Sequence, residues 1–164
     1  VTELVALVVE DEPEVRDALV RDLAPLAGSV RIEAAEDAED AAAVVEEVAE
    51  AGDVLGLVLA DHRLPGRSGV DLLVELEEDP AHRGVTRKVL VTGQADHADT
   101  IRAVNEAGLD HYIAKPWDPE ELLAVTRASL TDAVLDAGLD PLAYVADLDG
   151  PRLLEAYGRR SSDR

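Results

Sequence analysis

The chain is predicted to fold as an α/β protein built on a doubly wound parallel sheet. Five short, β-branched apolar runs alternate with segments of helical periodicity. The third run, VLGLVLA, is apolar throughout, as expected of a central strand covered on both faces. Charged residues then stand directly after three of the runs: Glu10 and Asp11 after LVALVV, Asp61 after VLGLVLA, and Lys115 after HYIA. In an open parallel sheet the carboxyl ends of the strands meet at one crevice, and ligands bind there.

The strands are expected at Leu4–Val9, Val30–Ala35, Val54–Ala60, Lys88–Thr92 and His111–Ala114. After Asp11, Pro13 suits a first helical turn, and Val15, Leu19 and Leu23 recur at four-residue spacing. The Ala-rich stretch Asp40–Glu50 carries a stripe of Val44, Val45 and Val48. Val70, Leu73, Val74 and Leu76 mark a third helix closed near Pro80; Ile101 and Val104 mark a fourth, ended by Gly108. Pro119 opens a fifth, with Leu122, Leu123, Thr126 and Leu130 on one side. Repeated units of this kind imply right-handed crossovers. Residues 1–135 therefore read as one domain and 136–164 as a short helical extension or linker, not a separate effector domain. In that tail the apolar clusters Leu139–Leu148 and Leu153–Tyr157 are separated by Asp149-Gly150-Pro151, read as a breaker, and Gly158–Arg164 reads as frayed.

Composition narrows the chemistry. The 164 residues carry a formal charge of −21, which argues against direct binding to nucleic-acid phosphates. The absence of cysteine excludes disulfides, thiolate nucleophiles and thiolate metal sites. No apolar stretch approaches the roughly 20 residues of a membrane span, and no signal peptide opens the sequence; the expectation is a cytoplasmic protein that does not bind membrane. His62, His82, His97 and His111 lack metal-ligand spacing and read as surface or strand residues.

Three carboxylates and one ammonium at one crevice describe a site for a divalent cation and a phosphoryl group. Like charges about 4 Å apart repel by roughly 4 kcal/mol at an effective dielectric near 20. Glu10, Asp11 and Asp61 thus need a counter-charge, and Mg²⁺ suits two or three carboxylate oxygens with waters and a phosphate. Asp61 is the best nucleophile, because carboxylates form aspartyl-phosphate intermediates. Lys115 offers a point charge and the Thr92 hydroxyl a hydrogen bond to phosphoryl oxygens. Pro65, Gly66 and Gly69 after Asp61 keep backbone close to the phosphoryl position. Taken singly, these residues have plainer readings. Glu10-Asp11 fits a helix cap, Asp61 a turn, Thr92 a β-branched strand residue and Tyr112 half-buried core; the combination is what points to a site.

The segments VVEDEPEVRDAL, LVLADHRLPGRSGVDLL, VLVTGQ and HYIAKPW, in this order, resemble the receiver domain of two-component response regulators over about residues 3–130. The resemblance implies a five-stranded flavodoxin-like sheet of order 2-1-3-4-5. It implies Asp61 as phosphoacceptor, Glu10 and Asp11 as Mg²⁺ ligands with the backbone carbonyl of Arg63, Thr92 and Tyr112 as a switch pair, and Lys115 on the phosphoryl group ahead of a cis-type Pro116. Glu10 departs from the commoner Asp, and Trp117 from the commoner Phe. The implied function is a phosphorylation-dependent signalling module, not an enzyme beyond its own phosphorylation and autodephosphorylation. Its implied partners are a histidine kinase or phosphotransfer protein and a downstream protein target or effector domain. A homodimer through the fourth and fifth helices, near Arg102, Asn105 and Arg127, is a further expectation. Two alternatives stay open on the residues alone: a receiver-like scaffold that works without phosphorylation, and an aspartyl-phosphate phosphatase. The latter is weakened by Glu10-Asp11-Glu12-Pro13, which lacks an Asp-x-Asp pattern. The chain reads either as a stand-alone receiver or as the front of a larger regulator.

Overall fold

The computed structural model describes residues 1–93 and 97–162. Its elements run β1 (Leu4–Val9), α1 (Pro13–Leu23), β2 (Val30–Ala35), α2 (Ala38–Glu50), β3 (Val54–Ala60), α3 (Gly69–Glu78), β4 (Arg87–Thr92), α4 (His97–Glu106), β5 (His111–Ala114), α5 (Pro119–Asp136) and α6 (Gly150–Ser162). The strands form one parallel sheet in the order β2-β1-β3-β4-β5. This is the doubly wound order expected, with β1 and β3 at the centre, where all but the first residue of β3 is buried.

Alternation along β1 divides the core in two. Leu4, Ala6 and Val8 face one side with Leu19 and Leu23 of α1 and Leu122, Leu130 and Val134 of α5. Val5, Leu7 and Val9 face the other, with Val70 and Leu73 of α3 and Ala103 of α4. A period of two on a strand requires this division. Gly56 in β3 makes room on the first side: a Cβ there would lie 2.7 Å from Leu4 Cδ1 and 3.1 Å from Leu130 Cδ2. Four of the five helices from α1 to α5 start on the residues whose chemistry favours a start. Pro13 and Pro119 occupy first turns, and Asp37 and Ser68 accept hydrogen bonds from Asp40 N and Asp71 N.

The tail departs from expectation. Asp149-Gly150-Pro151 opens α6 instead of breaking the chain: Asp149 Oδ1 accepts from Arg152 N at 3.3 Å, and helix continues to Ser162, through most of the stretch that reads as frayed. Asp followed shortly by Pro is as much a helix-start signature as a turn. Tyr144, Leu148 and Leu153 join the α1–α5 side of the core. Arg127 Nε donates to the Asp147 carbonyl at 2.9 Å, so this arginine is engaged by the extension, while Arg102 holds Asp71 and Glu106.

One buried charge lies far from the crevice. Lys88 on β4 is 2% exposed, and its ammonium meets Glu77 Oε2 at 2.7 Å and the Thr86 carbonyl at 3.1 Å. Removing one partner of such a pair strands the other in a poorly solvating interior. Glu77→Ala is therefore expected to lose about 3 kcal/mol in urea unfolding, and Lys88→Met on top of it to recover most of that loss.

Candidate functional site

The carboxyl ends of β1, β3 and β5 bring Glu10, Asp61 and Lys115 together, as their positions in the sequence predict. Each backbone is held by the sheet or its neighbour. Glu10 N donates to the Ala35 carbonyl and Asp61 N to the Val9 carbonyl, both at 3.0 Å, and Lys115 N donates to Thr92 O at 3.3 Å. Arg16 of α1 reaches back to the Glu10 carbonyl at 2.9 Å, a support that no motif announces.

The side chains converge as well. Lys115 Nζ lies 2.9 Å from Glu10 Oε2 and 3.1 Å from Asp61 Oδ2. Asp11 is exposed, yet it offers a carboxylate oxygen to the same cluster: one oxygen each from Glu10, Asp11 and Asp61 lies within 4.8 Å of the others. The extra methylene of Glu10, relative to an aspartate, carries its carboxylate to the ammonium. Arg63 lies on the exposed turn after β3, and the Lys115–Pro116 peptide bond is cis.

Charge and burial set the protonation. Burial raises the Glu10 carboxyl to about 7, opposed by its hydrogen bond with Lys115 and reinforced by the charge of Asp61. Burial alone would lower the Lys115 ammonium; its hydrogen bond with Glu10 and the charge of Asp61 outweigh that and hold it above the ordinary lysine value. Glu10 thus keeps a proton to near neutrality, chiefly because its carboxyl is buried away from water, with the Asp61 charge adding to the effect.

The turn after β3 is closed by backbone. Gly69 N donates to the His62 carbonyl at 2.9 Å, and a Cβ on Gly69 would fall 1.9 Å from the Asp61 carbonyl oxygen. Gly69 is there because nothing larger fits. Thr92 is buried at the end of β4, and the Tyr112 hydroxyl donates to the Thr92 carbonyl at 3.3 Å, its ring half-buried against the α3–α4 side of the core. The core and switch readings of Tyr112 are compatible with that placement. Trp117 packs on the α1–α5 side, its indole N–H on Asp22 at 2.8 Å.

Two histidines correct the sequence-based expectation. His62 and His82 are neither surface nor strand residues: their side chains are 14% and 13% exposed, in loops, with His62 Nε2 3.0 Å from Asp99 Oδ2 and His82 Nδ1 3.1 Å from Thr86 Oγ1. Loop histidines are usually solvated, and only tertiary packing buries these two. His97 and His111 are exposed, as expected.

An oxygen-only donor set beside a lone ammonium fits a hard divalent cation, not a soft transition metal. Among the described residues no helix is long and apolar enough to cross a membrane.

Comparison with known proteins agrees. The profile of the response regulator receiver domain matches residues 6–127. The chain is 32% identical over 158 residues to the hydrogenase transcriptional regulatory protein HoxA of Cupriavidus necator, covering 96% of this chain and 30% of that protein. It is 38% identical over 162 residues to the transcriptional regulatory protein AruR of Pseudomonas aeruginosa, covering 96% of this chain and 62% of that one. The chain therefore spans between about a third and two thirds of the length of these relatives. Among solved structures, a CheY-like response regulator receiver domain protein from Methanospirillum hungatei superposes with a TM-score of 0.67 at 27% identity, over 81% of this chain and 97% of that one. The crevice chemistry, the strand order and these matches converge: this chain belongs to the response regulator receiver domain family of two-component signalling.

Proposed function

We propose that the chain accepts a phosphoryl group on Asp61 and, in response, alters a surface read by another protein or effector domain. The supporting observation is the convergence of Glu10, Asp61 and Lys115 within hydrogen-bond distance, with Asp11 at the rim. A carboxylate oxygen of Asp61 attacks the phosphorus of a phosphohistidine on a kinase or phosphotransfer protein. A new O–P bond forms, the P–N bond breaks, and the electron pair leaves on the imidazole nitrogen. Lys115 sits where it can neutralise a phosphoryl oxygen, and the Thr92 hydroxyl can donate to another. Glu10, Asp11, Asp61 and the Arg63 carbonyl would hold Mg²⁺, which supplies charge neutralisation at the transferring group. Tyr112, hydrogen-bonded to Thr92 O, would follow Thr92 and carry the change from β5 toward α4. The cytoplasm, where phosphohistidine donors of this class act, is the proposed location.

The test is direct. Incubation with Mg²⁺ and a small phosphodonor should add the mass of one phosphoryl group, and EDTA should abolish the gain. Steady hydrolysis of phosphomonoesters without an adduct would instead indicate a phosphatase, and partner binding indifferent to the donor would indicate a scaffold.

Glu10 sets a pH dependence. Its folded-state value of about 7 lies above the 4.5 of an ordinary glutamate, so folding holds its proton between those values. Stability is thus expected to fall as pH rises from about 4.5 through 7, the reverse of a carboxylate whose ion pair outweighs its burial. Glu10 should give up that proton when Mg²⁺ is added at pH 6, and none at pH 8.5. Calorimetry in two buffers of different ionisation enthalpy reads the difference; equal proton release at both values would contradict it.

A further inference from the structure

α4 is poorly anchored by apolar contact. Ala103 is its one buried residue among those described, while Ile101 and Val104 are exposed. Polar ties carry much of the attachment. Arg102 Nη1 meets Asp71 of α3 at 2.6 Å, with both side chains 41% exposed. A second tie is more protected. His62 Nε2 lies 3.0 Å from Asp99 Oδ2 in the first turn of α4, and the imidazole is mostly buried, with Nδ1 lacking a hydrogen-bond partner among the described residues. His62 is covalently next to Asp61, and its own backbone is clamped: its carbonyl accepts from Gly69 N at 2.9 Å. A mostly buried ring tied at Nε2 and carried on a clamped backbone transmits small displacements instead of absorbing them.

We propose that His62 is a positioning residue that ties α4 to the phosphoacceptor turn, so that the state of Asp61 reaches α4 through the His62–Asp99 contact. This rests on Asp61 being the phosphoacceptor. The route is separate from the Thr92–Tyr112 pair, because it leaves β3 on the α3 side and enters α4 at its first turn.

The experiment is amide hydrogen exchange of residues 98–106, with and without Mg²⁺ and beryllium fluoride, on the full chain as wild type, His62→Phe, His62→Gln and Asp99→Asn. Phosphoryl uptake is followed in parallel by mass. His62→Phe keeps the ring volume and removes the donor; His62→Gln returns a donor near the Nε2 position. In the unliganded state His62→Phe should exchange about tenfold faster over α4, as expected for loss of one charge-assisted hydrogen bond. Beryllium fluoride should then change α4 exchange less than in wild type, with uptake at Asp61 retained. His62→Gln should restore much of the wild-type response, and the double variant His62→Phe/Asp99→Asn should behave like the singles. Uptake with an α4 response in His62→Phe equal to wild type overturns the coupling alone. Absence of uptake in the wild type overturns the phosphoacceptor reading and the coupling with it. Additive effects in the double variant also overturn the coupling.

Discussion

Asp61→Asn is expected to abolish phosphoryl uptake and, at the same time, to make the protein more stable. On the proposed function the Asp61 carboxylate is the nucleophile, so the amide should leave no adduct in intact-mass spectra. The gain in stability has a different origin. Glu10 and Asp61 are both nearly buried and share one ammonium, with Asp11 close by. Removing one negative charge leaves Glu10 paired with Lys115 and less opposed by its neighbours. The gain should be about 1–2 kcal/mol, since Lys115 already offsets part of the repulsion. For a chain of this size that corresponds to roughly 2–6 °C in melting temperature. The increment should grow as pH rises through about 7, because Glu10 repels Asp61 only once it has lost its proton. A melting temperature unchanged at pH 8 would mean that the carboxylates do not strain the apo fold.

Gly69→Ala is expected to have the largest effect of any single methyl addition at the site. The new Cβ would stand 1.9 Å from the Asp61 carbonyl oxygen, 2.8 Å from its carbon and 3.2 Å from His62 Cα. All three are backbone atoms, so no rotamer change relieves the overlap. The turn must open, and Asp61 must move with it. A loss of about 3 kcal/mol or more is expected from such overpacking. Displacement of the nucleophile by about 1 Å can cost a hundredfold in rate. Gly66→Ala is the control on the same turn. Gly66 has φ of +79°, and a methyl placed on its Cα would meet no atom within 4 Å, so only the left-handed backbone resists substitution. Its cost should be near 1 kcal/mol, with uptake largely kept. If the two variants behave alike, close approach at Gly69 is not what fixes Asp61.

Much of the site is legible in the sequence because its information is local. A β-branched run ending in a charged residue states both the strand and the place where its last side chain emerges, and this holds for Glu10, Asp61 and Lys115. Their meeting follows from the parallel order of the sheet. What the sequence hides depends on contacts distant along the chain. The closure at Gly69 depends on the path of the turn in space. Arg16 supports the Glu10 carbonyl, Glu77 covers the ammonium of Lys88, and Asp99 meets His62; none of these has a spacing signature. The tail is ambiguous for a physical reason. Asp-Gly-Pro serves a turn or a helix start equally well, and the decision lies with Tyr144, Leu148 and Leu153, which are buried against α1 and α5.

On the proposed function the phosphoryl group is carried by the side chain at position 61. Borohydride reduces an aspartyl phosphate to homoserine, and peptide sequencing by mass spectrometry then locates the change. After treatment with Mg²⁺ and a phosphodonor, homoserine is expected at position 61, and only in samples that contained Mg²⁺. Homoserine at position 11 or elsewhere, or an unreduced phosphate on serine, threonine or histidine, would contradict the account.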